Sequence, residues 1–201
     1  MRKVTCMCET TFDADLPEQV DLDADPGVVD QILAGEFLSV SCPSCGSRLK
    51  PELPVRLVSK KRALDLVFLP ELDRMAVYRG AADLPKGAQV LIGYPELFER
   101  ARVIADGMDP EAVEIVKYYL QLKAEEQAGE AEVAVSYAGM DGGKLTFHVR
   151  GVKEGEVAVL HVGRDTYDRT LADKARSLRA EPFDRILAGP YKSIRMLEAE
   201  D

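Results

Sequence analysis

Four cysteines fall in two clusters, Cys6-Met7-Cys8 and Cys42-Pro43-Ser44-Cys45-Gly46, and the chain has no others. Nothing else in the sequence restricts the fold as tightly. In C-P-S-C-G, the Pro and Gly favour a tight turn that aims two thiolates at one point. Two such pairs brought together make the tetrahedral sulfur set that zinc prefers, with no position left for a reacting water. The first pair is one residue shorter. A bent strand can turn Cys6 and Cys8 to one side, but this spacing predicts no tight turn, so whether both serve as ligands stays open. Three readings of the cysteines compete. They are a structural zinc held by Cys6, Cys8, Cys42 and Cys45, thiols packed in a metal-free fold, and a redox-active dithiol. The first is preferred, and no thioredoxin-like βαβ pattern supports the last.

The compartment argument points the same way. The N-terminus, Met1-Arg2-Lys3-Val4-Thr5, starts basic but has no apolar stretch behind it, so a secretory signal is not expected. No apolar run reaches the roughly 18–20 residues that span a bilayer. A cytoplasmic location follows as the expectation, and thiols there stay reduced and free for metal. The first 58 residues also hold few large apolar side chains, so a small module there needs a staple.

Charge is segregated along the chain. From Glu9 to Glu36 there are nine acidic residues and no basic one; from Arg48 to Arg62 there are six basic residues (Arg48, Lys50, Arg56, Lys60, Lys61, Arg62) against Glu52 alone. Solvated faces of a small module explain such runs in most proteins. A basic patch for an acidic partner or RNA is the sharper reading, and the net charge of −9 disfavours general nucleic-acid binding.

The expected fold class is α+β: a zinc-ribbon-like N-terminal module, a small β-layer, a helical pair, and a C-terminal β-meander with one or two helices. Residues 1–12 read as a short strand entering the first cysteine pair. Asp25-Pro26 reads as a cap and first position of a helix that Gly35 ends. Glu36–Ser41 reads as a strand, and strands follow at 49–57, 64–69, 75–79 and 88–92. A helix over 95–106 is expected to bury Leu97, Phe98, Ala101, Ile104 and Ala105 and to turn Glu96, Glu99, Arg100 and Arg102 mostly outward. Asp109-Pro110 repeats the cap chemistry before a second helix that runs to Lys123 or slightly further. Three strands over 131–137, 145–150 and 156–162 form a meander with Asp141-Gly142 in its first turn. Helices over 165–178 and 181–187 and an edge strand over 191–197 complete the chain. The loop Glu125–Glu130 is the expected joint between domains 1–128 and 129–201, with the knuckle module within 1–58.

Beyond the cysteines, the two pairs flank the capped helix 25–35. A strand leads into Cys-Pro-Ser-Cys-Gly, and Glu96-Leu97-Phe98-Glu99-Arg100, Asp106-Gly107-Met108-Asp109 and Val113-Glu114-Ile115-Val116-Lys117 follow. This arrangement resembles the CpXC family over residues 1–128. The resemblance implies a metal-binding quartet of Cys6, Cys8, Cys42 and Cys45, and it implies no particular activity.

Signals for catalysis are weak. Asp21, Asp23 and Asp25 resemble the start of a calcium loop, but Pro26 stands where Gly is needed and Ile32 where a bidentate Glu belongs. His148 and His161 are the two histidines, and each reads as a strand residue, not a base. No G-x-S-x-G, Walker or H-E-x-x-H motif occurs. The preferred function is a zinc-stabilised binding or adaptor protein with a protein partner. A nucleic-acid role for Arg48–Arg62, or an enzyme with a site between the two halves, are the alternatives.

Overall fold

The structure, a computed structural model, describes residues 1–129 and 131–199. Glu130, the last residue of the expected joint, and residues 200–201 of the C-terminal domain lie outside the described residues. The fold is α+β. Its two compact units are Met1–Phe98 and Glu99–Asp201.

In the first unit, β1 (Arg2–Thr5) pairs antiparallel with β2 (Thr11–Ala14). Residues 1–12 are therefore a hairpin and not one strand, and the chain reverses at the C-M-C pair. Next come β3 (Gln19–Asp21), α1 (Gly27–Leu33), and the two-residue strands β4 (Val40–Ser41) and β5 (Arg48–Leu49), which pair with each other. Of the strand expected over 36–41, only Val40–Ser41 forms. Phe37 and Leu38 are buried in the stretch before it, where Leu38 takes a φ of 59°. Gly35 does end α1: its φ is 71°, and the Glu36 N–H reaches back to the Gln31 carbonyl at 2.8 Å. The expected Asp25 cap does not form. Helical geometry starts one residue late, so the cap position falls on Pro26, which offers no side-chain acceptor.

The chain continues through β6 (Val55–Ser59), β7 (Leu64–Leu69), α2 (Arg74–Tyr78), β8 (Gln89–Ile92) and α3 (Gly93–Ala105). A four-stranded sheet has the order β3-β6-β7-β8, with β6–β7 antiparallel and both outer pairs parallel. Leu57, Leu66, Phe68 and Ile92 are fully buried in it. Asp23 holds the β6–β7 turn: its carboxylate accepts from the Ser59 hydroxyl at 2.6 Å and from the Lys60 and Lys61 N–H groups at 2.8 and 3.0 Å. That is the role of the acidic cluster's middle member.

The segment 75–79, read as a strand, is the helix α2. Five residues are too few to separate a period of 2 from one of 3.6. Gly80, with φ 65°, closes the helix, and the Ala81 N–H bonds the Ala76 carbonyl at 2.8 Å. Arg74 at its start is buried and pairs with Glu71 and, at 2.9 Å, with Glu96 on α3. Glu96 is thus an inward residue. On α3 the buried set is Leu97, Arg100, Ala101 and Val103, while Phe98 is 40% exposed. The polar face expected from periodicity carries ion pairs inward instead.

In the second unit, α4 (Pro110–Ala128) is capped as expected, with Asp109 Oδ1 accepting the Ala112 N–H at 2.9 Å. The strands β9 (Ala134–Asp141), β10 (Lys144–Arg150) and β11 (Val157–Gly163) form the meander in the order β11-β10-β9. Gly142 and Gly143, both at positive φ, make the first turn. Leu145, Phe147 and Val149 of β10 pack with Val113, Val116, Val135 and Tyr137 in the main core. Because α4 shares this core, it belongs with the meander. The compact units meet at Phe98–Glu99, and residues 125–128, expected in a loop, continue α4.

The helices α5 (Arg164–Ser177) and α6 (Phe183–Ile186) follow. The edge strand expected over 191–197 is replaced by a 3-10 helix, Ile194–Ala199. Ile194 is buried beside Ile115, Phe183, Ile186 and Leu187, and its N–H donates to Glu114 Oε2 at 2.9 Å. That bond to a helix side chain takes the place of a sheet ladder.

Glu114 is also part of a buried charge triad. Lys117 Nζ lies 2.8 Å from Glu114 Oε1 and 3.0 Å from Glu99 Oε1, with the lysine side chain 3% exposed. Glu99 Oε1 further accepts the Tyr137 N–H at 2.6 Å. This is where the β9–β10 register shifts: Thr146 faces Gly139 and Phe147 faces Tyr137, leaving Ala138 unpaired. Burial alone pulls the Lys117 ammonium down, but its two carboxylates more than offset this and raise it above the ordinary lysine value. Burial pushes Glu99 up.

Among the described residues, no helix is long and apolar enough to cross a membrane.

Candidate metal centre

Each cysteine pair sits in a turn that ends on a residue in the left-handed region. In the second, the Cys42 N–H donates to the Ser47 carbonyl and the Gly46 N–H to the Cys42 carbonyl, both at 2.9 Å, with Gly46 at φ 73°. In the first, the Glu9 N–H donates to the Cys6 carbonyl at 2.8 Å and the Cys6 N–H to the Thr10 carbonyl at 2.9 Å, with Glu9 at φ 66°. C-M-C therefore has a tight turn of its own, against the expectation from its spacing. It was hidden because a glutamate, not a glycine, occupies the left-handed position. The turn lifts Met7 to its tip, 98% exposed.

The two turns face each other. Cys6 Sγ lies 3.6 Å from Cys45 Sγ, and Cys8 Sγ lies 3.7 Å from Cys42 Sγ; all four sulfurs fall within 4.8 Å of one another. A tetrahedron with metal–sulfur bonds of about 2.3 Å has edges of about 3.8 Å. Both cross-turn distances fit that figure, and both are too long for the ~2.0 Å of a disulfide. The four thiols fit a metal ion, and the structure brings together the residues that the sequence singled out. Cys6 and Cys42 are buried, whereas Cys8 and Cys45 are exposed.

Two hydroxyls complete the arrangement. Thr10 Oγ1 is 3.4 Å from Cys8 Sγ, and Ser47 Oγ is 3.2 Å from Cys45 Sγ. Each hydroxyl stands two residues after the last cysteine of its turn, so Cys8-Glu9-Thr10 and Cys45-Gly46-Ser47 are counterparts. The Thr10 hydroxyl and N–H lower the Cys8 thiol to about 6, and Ser47 lowers Cys45 in the same way. Sequence reasoning missed this pair. The signal was the shared spacing of Thr10 and Ser47 from Cys8 and Cys45.

The basic strip is spread over the unit. Arg48 pairs with Glu36 at 3.6 Å, Arg56 makes a two-point bond to Asp65 at 2.7 and 2.8 Å, and Lys50 lies 4.0 Å above the Tyr94 ring. Lys60, Lys61 and Arg62 are exposed at the β6–β7 turn. Of the histidines, His148 is half-buried on the outer face of β10. His161 is exposed on β11, with Nδ1 3.2 Å from Thr146 Oγ1. A hollow of about 290 Å³ beside His161 is lined by Leu120, Lys123, Ala124, Gln127, Val149, Val152, Ala158 and Leu160, with no carboxylate among them.

Two facing turns that offer two thiols each, on a small α+β frame, define a paired-knuckle protein with a four-cysteine centre able to hold a metal. Residues 4–117 match the family described as CpXC protein, and the chain belongs to that family. It is 28% identical to an uncharacterized protein of Treponema pallidum (strain Nichols), over 97% of both chains. That similarity takes in the C-terminal unit as well as the knuckles. No solved structure matches the chain.

Proposed function

We propose that Cys6, Cys8, Cys42 and Cys45 hold one structural zinc ion in a cytoplasmic protein whose task is to bind another protein. The facing sulfur pairs at tetrahedral edge length carry the zinc reading. Four soft thiolates suit zinc over hard cations such as calcium or magnesium. They also fill the coordination shell, so the metal serves architecture and not chemistry. The binding role draws on the same closed shell and on Leu72 and Met75, which stand 95% and 53% exposed around the start of α2. The nucleic-acid reading has weaker support, since Arg48 and Arg56 already face carboxylates.

Metal analysis of the intact chain, coupled to thiol titration, tests the site. One zinc per chain is expected, with four thiols becoming reactive only after a chelator is added. A folded, metal-free chain with four freely reactive thiols overturns it. For the binding role, a partner captured by the wild-type chain is expected to be lost on Leu72→Lys with Met75→Lys. Sustained turnover by contaminant-free protein counts against a purely binding role.

Thr10 and Ser47 act as positioning residues for the exposed sulfurs in this reading. Thr10→Val or Ser47→Ala is expected to weaken zinc binding about 10-fold each, the lower end for groups that orient metal ligands. Competition with a coloured chelator reads the affinity, and circular dichroism confirms the fold. Unchanged affinity in both variants rejects the role.

A further inference from the structure

We propose that β11 is a self-association edge, pairing antiparallel with β11 of a second copy of this chain to give a six-stranded sheet. β11 is the outer strand of the meander, so one row of its backbone donors and acceptors faces away from β10. Its seven residues, Val157 to Gly163, include no charge and no proline. Edge strands that stay unpaired are commonly guarded by such residues.

Both faces of the strand are open over Val157–Leu160. On the outer face Val157 and Val159 are 48% and 52% exposed. On the inner face Leu160 stands opposite Phe147, a fully buried residue, yet is itself 37% exposed. Leu160 and Ala158 form one wall of the hollow beside α4. The core that covers β10 reaches Val162 of β11 but leaves Ala158 and Leu160 exposed, and a further strand on the same face would extend it.

A second copy is the occupant that the flanks favour. With Leu160 on the two-fold axis, Leu160 meets the partner's Leu160, Val159 meets the partner's His161, and Glu156 meets the partner's Arg164. The strand has an acid at its entry and a base at its exit, and antiparallel self-pairing sets the two opposite each other at both ends. Parallel pairing would place like charges together. Glu156 pairs with exposed Lys153 at 3.6 Å; Arg164 pairs with exposed Asp168 at 3.0 Å and rests against Met108 Sδ and the Tyr167 ring, with half of its side chain still open to the new contact.

Sedimentation of the intact chain across a concentration series tests this. The wild type is expected to shift from 22.1 kDa toward twice that mass as concentration rises. Leu160→Glu, which sets two carboxylates on the axis, is expected to stay at one chain with an unchanged circular dichroism spectrum. Glu156→Arg and Arg164→Glu singly are expected to weaken association several-fold, and the two together to restore it. That restoration cannot arise from a general loss of folding. A wild type that remains at one chain at high concentration overturns the proposal. So does a Leu160→Glu variant that associates as the wild type does, or a double variant no better than the singles.

Discussion

Stripping the metal from the intact chain is expected to melt both cysteine turns and leave the C-terminal meander folded. The hairpin β1–β2 has four residues a side and β4–β5 only two, and two-stranded hairpins of that size are marginal in water. In the proposed function, what fastens them to each other is a metal held at the sulfur centre, where Cys6 and Cys42 are buried. Zinc in peptide-sized modules contributes on the order of 10–16 kcal/mol of apparent folding energy, far more than such hairpins gain from their own pairing. Hydrogen exchange supplies the readout. The Cys6, Cys42 and Gly46 amides, each bonded within its turn, should lose protection on chelation, while amides of β9, β10 and β11 keep theirs. Cys42→Ser should reproduce the loss without any chelator. Turns that stay protected in protein shown to be metal-free would remove the staple from the account.

Replacing Lys117 by Met is expected to destabilise the second unit by about 3–5 kcal/mol, the cost of breaking a buried ion pair from one side. Methionine fills similar volume, so the loss is electrostatic. Glu99 and Glu114 would keep their backbone donors, the Tyr137 and Ile194 N–H groups, but lose the one cation that both share. In a unit of about 100 residues that corresponds to roughly 15–25 °C in thermal midpoint. Adding Glu99→Gln and Glu114→Gln to Lys117→Met should recover much of the loss, because neutral amides need no counter-charge. Thermal denaturation of the three proteins decides it. A Lys117→Met variant within 1 kcal/mol of wild type, on the order of experimental scatter between surface substitutions, would show the triad to be well solvated.

These two sites differ in how far the sequence disclosed them. Cys42-Pro43-Ser44-Cys45-Gly46 declares its turn through residues that have few other conformational uses. C-M-C declares only its sulfurs, since Glu9 gives no sign of its left-handed backbone. Asp109-Pro110 and Asp25-Pro26 look alike in the sequence, yet only the first caps a helix, because the second is followed by Gly27 and helix formation begins there. The triad was invisible for another reason. Glu99 and Lys117 are eighteen positions apart, and long charged side chains on amphipathic helices ordinarily face water. Their burial follows from tertiary packing, which periodicity does not encode. The same holds for 191–197, where a carboxylate on α4 captures a backbone amide and removes the segment from any sheet. The α+β class, the meander and the four cysteines come from local patterns, and those were readable.

The position of the two turns has a topological consequence. With metal in place, Cys8 and Cys42 close a ring that contains β2, β3, α1 and β4. Closing a ring of that length lowers the entropy of the unfolded chain and depends only weakly on how many residues lie inside. Insertions at the exposed residues Ala24–Pro26, between β3 and α1, are therefore cheap, and a single peptide cut there leaves two pieces still clasped through the same sulfurs.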